Sequence, residues 1–263
     1  MDLGTVLGIV IAFAGILIGQ AIEGGSVVAI LQPTAAMIVF GGTIGATMTG
    51  FPLNTFMRAV SDLVHLIKDH SVDPDKLIDD LVRFTNKARR EGIIALEKDA
   101  QGIKDEFLKK AIMMAVDGTE PAELRQSMEC ELTYMEERGE HSAKVFEAAG
   151  GFAPTIGIIG AVLGLIEVMR HLDNIDEVGK GIAVAFVATI YGVGCANIFF
   201  LPAAGKLKFK HRQQMILKEM MLEGVIGMLE GQNPRLLESK LMAFLEEKDQ
   251  KIRRKAAKGK RAA

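Results

Sequence analysis

Residues 150–172 read GGFAPTIGIIGAVLGLIEVMRHL, and after a short polar link residues 179–205 read GKGIAVAFVATIYGVGCANIFFLPAAG. Each stretch is long and apolar enough to cross a bilayer, which takes roughly 20 apolar residues. Each also carries features that a plain lipid anchor does not need. Pro154 and Thr155 open the first; Thr189 lies in the middle of the second and Pro202 near its end. Gly157, Gly160 and Gly164 fall on one helical face. In lipid, small residues let helix backbones approach closely, and a proline frees a carbonyl that must find another partner. The pattern predicts a tightly packed, partly polar helix pair that lines something.

Working outward, the 263-residue chain is 49% apolar and 24% charged, with a formal net charge of −2. Those values fit together only if apolar and charged residues are segregated along the chain. They are: no Lys or Arg precedes Arg58. Leu3 to Ile22 reads as a first span. A signal peptide is the competing reading, but no basic segment precedes the apolar run and no small-x-small cleavage site follows it. A tight turn at Glu23-Gly24-Gly25-Ser26 leads to a second span, Val27 to Met48, with Pro33 and Thr34 inside it. Two spans joined by so short a turn form a hairpin.

Phe51 to Phe146 reads as water-exposed helix. Phe56, Val60, Leu63, Val64 and Ile67 recur at helical spacing. Asp73-Pro74 is an N-cap followed by proline at the first helical position. The helix it opens has Leu77, Ile78, Leu81, Val82 and Phe84 on its apolar face. Pro121 restarts a long helix with Leu124, Met128, Leu132 and Met135 on one face, and this helix is expected to run into the third span. Beyond Pro202, Lys206, Lys208, Lys210 and Arg212 adjoin a membrane end. Asn233-Pro234 caps a short amphipathic helix, and the basic tail from Lys251 is expected to be disordered.

The expected fold is therefore all-α: four transmembrane helices and a large cytoplasmic helical region. The chain divides into 1–50 (first hairpin), 51–146 (cytoplasmic loop), 147–205 (spans three and four) and 206–263 (cytoplasmic helices and tail). All basic residues except Arg170 and Lys180 lie between spans two and three or after span four. The positive-inside rule then places both regions, and both termini, in the cytoplasm.

The middle of every span lacks Asp, Glu, Lys, Arg and His. Pumps and proton channels generally need such a group at membrane depth, so a partner chain must supply it if ions pass here. Thr189, Thr155 and the carbonyls freed by the prolines are what this chain offers; a threonine hydroxyl bonded to its own helix is the plainer reading of Thr189. The five histidines show no metal-ligand spacing, and no nucleophile arrangement, phosphate loop or dinucleotide fingerprint occurs. Neither an enzyme nor a cofactor is expected, and no nucleic-acid partner. Cys130 and Cys195 fall in different environments, so no disulfide is expected.

The residues resemble the MotA/PomA family, the A subunit of the bacterial flagellar stator. The resemblance spans nearly the whole chain: IVFGGTIGA (38–46) in span two, KARREGIIALE (87–97) in the loop, GGFAPTIGIIGAVLGLI in span three, and GIAVAFVATIYG (181–192) with a later proline in span four. The related ExbB/TolQ family shares spans three and four but has three spans and a different N-terminus. An energy-coupling subunit of that kind, acting on a periplasm-spanning partner, is the alternative. The stator resemblance implies a bacterial inner-membrane protein that forms a ring of five around two copies of a single-span MotB/PomB-type B subunit carrying the membrane aspartate. It also implies contact with lipid and with FliG, the rotor switch-complex protein. Cation flow then drives the rotor. By motif, Arg89, Arg90 and Glu97 are the rotor-facing charges, Pro154 and Pro202 couple ion passage to shape change, and Thr189 is the hydroxyl near the ion. Arg89 and Glu97 are expected on one continuous helix, about 12 Å apart in rise. Sodium-driven members carry a threonine in span three, in a Gly-Thr-x-x-Gly setting. Here the segment is Gly160-Ala161-Val162-Leu163-Gly164. Ala161 presents a methyl where sodium would want an oxygen, and Thr155 is almost two turns away, so the expected cation is the proton.

Overall fold

The computed structural model describes residues 3–67 and 73–245, with 247, 250 and 253. Among these every regular element is helical. The basic tail expected to be disordered lies mostly outside the described residues. The chain forms two compact units, Met1–Asp69 with Arg138–Lys210, and His70–Glu137 with His211–Ala263. These cut across the division drawn from the sequence, because residues 51–67, 138–146 and 206–210 pack with the membrane-type helices.

In the first unit, α1 (Leu3–Ile22) is a run of twenty uncharged residues. At 1.5 Å per residue it is about 30 Å long, the thickness of a hydrocarbon core. Span two departs from expectation: it is not one helix. It consists of α2 (Val27–Ile30), an extended pair Leu31–Gln32, α3 (Pro33–Ala36), a π-helical turn (Met37–Gly41) and α4 (Gly42–Gly50). The cause is Pro33. The residue before a proline is driven out of the helical region, and Gln32 sits at φ −116°, ψ 100°. Amphipathic α5 (Leu53–Ile67) follows, with Phe56, Ala59 and Leu63 packed on Ala143, Phe146 and Leu207.

The second unit is a water-type core. Asp73 accepts a hydrogen bond from Asp75 N–H at 3.1 Å and caps α6 (Pro74–Glu91). Leu77, Ile78, Leu81 and Phe84 on its face are buried, each worth about 1.5–3 kcal/mol by transfer from water. A 3₁₀ turn (Ile93–Leu96), α7 (Glu97–Gln101) and α8 (Glu106–Val116) close over that face. The helix α9 (Pro121–Arg170) is a single 50-residue element. Its early residues Leu124, Met128 and Leu132 belong to this core and its later ones to the first unit. After α10 (Ile175–Gly194) and a second π-helical turn (Cys195–Phe200), α11 (Leu201–Leu229) likewise contributes to both. Its Gly224 admits Leu81 of α6: a β-carbon there would lie 2.7 Å from the leucine Cδ1. The short α12 (Pro234–Leu241), capped by Asn233, buries Leu237 and Leu241.

Among the described residues, three helical stretches are long and apolar enough to cross a membrane: Gly4–Ile22, and segments within Pro121–Arg170 and Ile175–Leu229.

Candidate functional site

Spans three and four meet along a seam made almost wholly of glycine and alanine. Ala153, Gly157, Gly160 and Gly164 on α9 oppose Gly192, Ala188, Ala185 and Gly181 on α10. A β-carbon on Gly157 would lie 2.9 Å from the Ala188 carbonyl oxygen. One on Gly164 would lie 2.8 Å from both the Ala185 nitrogen and the Gly181 oxygen. The pairs descend on one helix as they rise on the other, so the helices are antiparallel. The 4-3-4 spacing on both is that of a heptad seam, with small residues in place of large knobs. The glycines of span three announced half of this seam in the sequence. The matching row on span four is as regular, and was the signal left unread.

The residues next to the seam define two edges. Those one position before it, including Ile156, Val187 and Tyr191, face span two. Ile156 packs on Gly42, Ile38 on Gly160, and Ala35 and Val39 join Val187 and Ala188 in a buried cluster. Reversing a helix also reverses its sense of rotation. Residues one position after the seam therefore share the other edge, whichever helix they come from. These are Pro154, Ile158, Ala161 and Leu165 on α9, and Ile182, Phe186, Thr189 and Val193 on α10. This edge is open in the single chain: Ile158 is 58% exposed and Phe186 69%. Ala161 and Thr189 are half-buried along it, as is Pro154.

Three of the residues singled out from the sequence, Pro154, Ala161 and Thr189, are thus brought to one edge. Thr155, one step further round, is exposed on the outer face of α9. It donates to the Phe152 carbonyl at 2.8 Å, and Thr189 donates to the Ala185 carbonyl at 3.2 Å. Both hydroxyls take the helix-internal bond, which leaves their lone pairs available. Pro154 lies inside α9 without breaking it. Lacking an N–H, it leaves the Gly150 carbonyl without the usual donor. Pro202 is exposed at the start of α11, directly after the π turn Cys195–Phe200. That turn widens the helix where the proline ring would otherwise strike the carbonyl of Ile198.

One side chain absent from the sequence reading joins this region. The Tyr191 hydroxyl donates to the Ile30 carbonyl at 2.6 Å, and the Gln32 N–H points at the Tyr191 hydroxyl oxygen at 3.4 Å.

In the second unit the charged cluster takes a different form from that expected. Arg89 and Glu97 do not lie on one continuous helix. α6 ends at Glu91, and Gly92 takes φ +86°, a left-handed conformation that L-residues with side chains avoid. The chain then turns through Ile93–Leu96 before α7 begins at Glu97. The 12 Å helical separation therefore does not apply. The two helix ends are instead joined by an ion pair, Lys87 Nζ to Asp99 Oδ2 at 2.5 Å. Arg89, Arg90 and Glu97 are all exposed, and none forms an ion pair among the described residues.

The unit's inner charges are paired. Glu223 accepts from Arg125 and from Lys240. The Arg125 hydrogen bond, aided by Lys240, holds the Glu223 carboxyl below its usual range, and the same bond raises Arg125. Lys218 bonds both oxygens of Asp105, at 2.7 and 2.6 Å, and lies over the Phe107 ring. Among the described residues no group of His, Cys, Asp and Glu is arranged to hold a metal ion.

Residues 99–220 match the MotA/TolQ/ExbB proton channel family, and residues 6–92 match the motility protein A N-terminal family. The chain is 39% identical over 250 residues to Motility protein A of Bacillus subtilis (strain 168), covering 95% of this chain and 93% of that protein. It is 31% identical over 247 residues to Chemotaxis protein PomA of Vibrio alginolyticus, covering 94% and 96%. Among solved structures, that of C. jejuni MotAB superposes with a TM-score of 0.90 at 36% identity, covering 94% of this chain and 97% of that one. The flagellar MotAB stator complex from Bacillus subtilis gives a TM-score of 0.86 at 39% identity, covering 93% and 96%.

Proposed function

The chain belongs to the motility protein A family, and from that premise we propose how it works as the A subunit of a flagellar motor stator. It is an all-α membrane protein that assembles with a MotB-type subunit and couples ion flow to rotation. The N-terminal match at residues 6–92 favours the stator over an ExbB/TolQ-like subunit.

The observation that carries the proposal is the open edge of α9 and α10. It is apolar, carries one half-buried hydroxyl at Thr189, and has no ionisable side chain. A membrane helix bearing a carboxylate completes it: the partner's acid supplies the titrating group, and Thr189 and the Gly150 carbonyl supply neutral oxygens. The cation is the proton, since Ala161 offers no oxygen ligand. Movement at that edge is passed through the proline sites, Pro154 in α9 and Pro202 after the π turn. The broken second span crosses the bilayer as the fourth spanning element. Lipid covers the outer helices, both termini are cytoplasmic, and the membrane is the bacterial inner membrane. Five copies surround the partner helices, and Arg89, Arg90 and Glu97 meet the rotor protein FliG.

Flux measured in vesicles tests the central claim. The A subunit reconstituted alone should carry no proton current, and adding a B-type partner with its membrane aspartate should restore it. Current through the A subunit alone would refute the proposal.

A further inference from the structure

We propose that Tyr191 is a positioning residue that sets the rotation of α10 and so the direction in which Thr189 points. Pro33 drives Leu31 and Gln32 out of helix and leaves polar backbone inside an apolar segment. Unsatisfied backbone groups are costly in hydrocarbon, so such a break needs an outside partner. Tyr191 is that partner. Its O–H donates to the Ile30 carbonyl at 2.6 Å, the same oxygen that the Gln32 N–H reaches at 3.1 Å. Its ring lies 6.0 Å from Phe40, tilted by 32°. The phenol therefore ties α10 to both sides of the break.

The position on α10 gives this tie its leverage. Gly192, the next residue, makes the closest approach of the seam: a β-carbon there would lie 2.5 Å from the Ala153 oxygen. Tyr191 projects from one side of that contact, towards span two. Thr189 projects from the other, towards the open edge. α10 cannot roll about its axis to carry Thr189 along the edge unless the hydroxyl at the end of the long tyrosine side chain leaves Ile30. The bond acts as a latch between the ion path and the broken second span. One hydrogen bond of ordinary strength shifts the balance between latched and released states by about fivefold.

This inference rests on the reading of α9 and α10 as the ion-path pair. The test is Y191F, which deletes one oxygen and keeps the ring on Phe40. Single-motor recordings resolve stator units as discrete speed steps, and proton current is measured on reconstituted complex with its B partner, normalised to assembled complex. The expected result is unchanged membrane level and unit number, with low-load speed per unit and current per complex altered about fivefold. The external pH of half-maximal speed should move as well. A merely structural tyrosine would lower the number of units and leave both per-unit quantities in place; that result overturns the proposal. Normalisation keeps the outcome readable if less complex assembles. Wild-type complex without current overturns the ion-path reading and this inference together. Wild-type current with an unchanged Y191F overturns the inference alone.

Discussion

Gly192 lies so close to Ala153 that a methyl group added to it would stand 2.5 Å from the Ala153 carbonyl oxygen. The obstacle is backbone, which cannot rotate aside. Gly192→Ala and Gly164→Ala must therefore push α9 and α10 apart. Overpacking of this kind costs about 1–3 kcal/mol. Both variants should lower the thermal midpoint of the purified complex and abolish swimming. Gly8→Ala, where no atom lies within 4 Å, should do neither.

Motility should be insensitive to sodium. A sodium ion must trade its hydration shell for fixed oxygen ligands, and Ala161 supplies none. Replacing sodium by potassium at constant proton-motive force should leave swimming speed unchanged, and a protonophore should stop it. Collapse of speed on sodium removal would show that the cation has been misassigned.

Exposed charges contribute little singly, about 1 kcal/mol or less. Neutralising Arg89 or Glu97 alone should weaken swimming without ending it. The double variant Arg89→Glu, Glu97→Lys should end it with an unaltered rotor, and opposite reversals on the rotor should restore part of it. Full motility of the double variant with a native rotor is the contrary result.

The turn between these charges makes its own demand. Gly92 sits at φ +86°, so Gly92→Val should cost about 1–2 kcal/mol of stability. The relative orientation of Arg89 and Glu97 should change too. Torque at stall should fall further in Gly92→Val than in Glu97→Gln, although the substitution alters no charge.

Glu223 links stability to pH. Its carboxyl titrates below its ordinary value of 4.5 because Arg125 bonds the ionised form. A carboxylate lowered on folding stabilises the protein above its unfolded value, and loses that contribution as pH falls through the folded value. Glu223→Gln should therefore cost about 1–2 kcal/mol near neutrality. The gap from wild type should narrow below about pH 4.5 as the native carboxylate protonates. Thermal unfolding of the complex between pH 7 and pH 3 measures this.

What was legible in the chain depended on where each residue's partner lies. Asp73-Pro74 caps α6 as read, since the capping bond spans two residues. The long helix through Pro121 and the two apolar stretches after Gly150 also follow from local pattern. Pro33 was visible, but its effect was not: an apolar run of that length looks unbroken until the backbone at Gln32 is seen extended. Gly92 was visible too, yet a glycine inside a charged helical run does not declare a positive φ. Tyr191 was beyond reach. Its partners lie 161 and 159 residues away and are main-chain atoms, which leave no mark in a sequence.

No residue of the apolar stretch Gly4–Ile22 is buried within the chain, and Ile11 is 68% exposed. Its twenty uncharged residues have a fixed length, whereas the thickness of the bilayer varies with acyl-chain composition. Tilting is one way in which such a helix fits a thinner bilayer. The tilt has two places to go. Thr5, near one end, is bonded to Lys206 at 2.6 Å, four residues beyond Pro202. The other end turns tightly into α2, just ahead of the break at Gln32. A change in bilayer thickness that tilts α1 would therefore bear on both interruptions of the membrane helices.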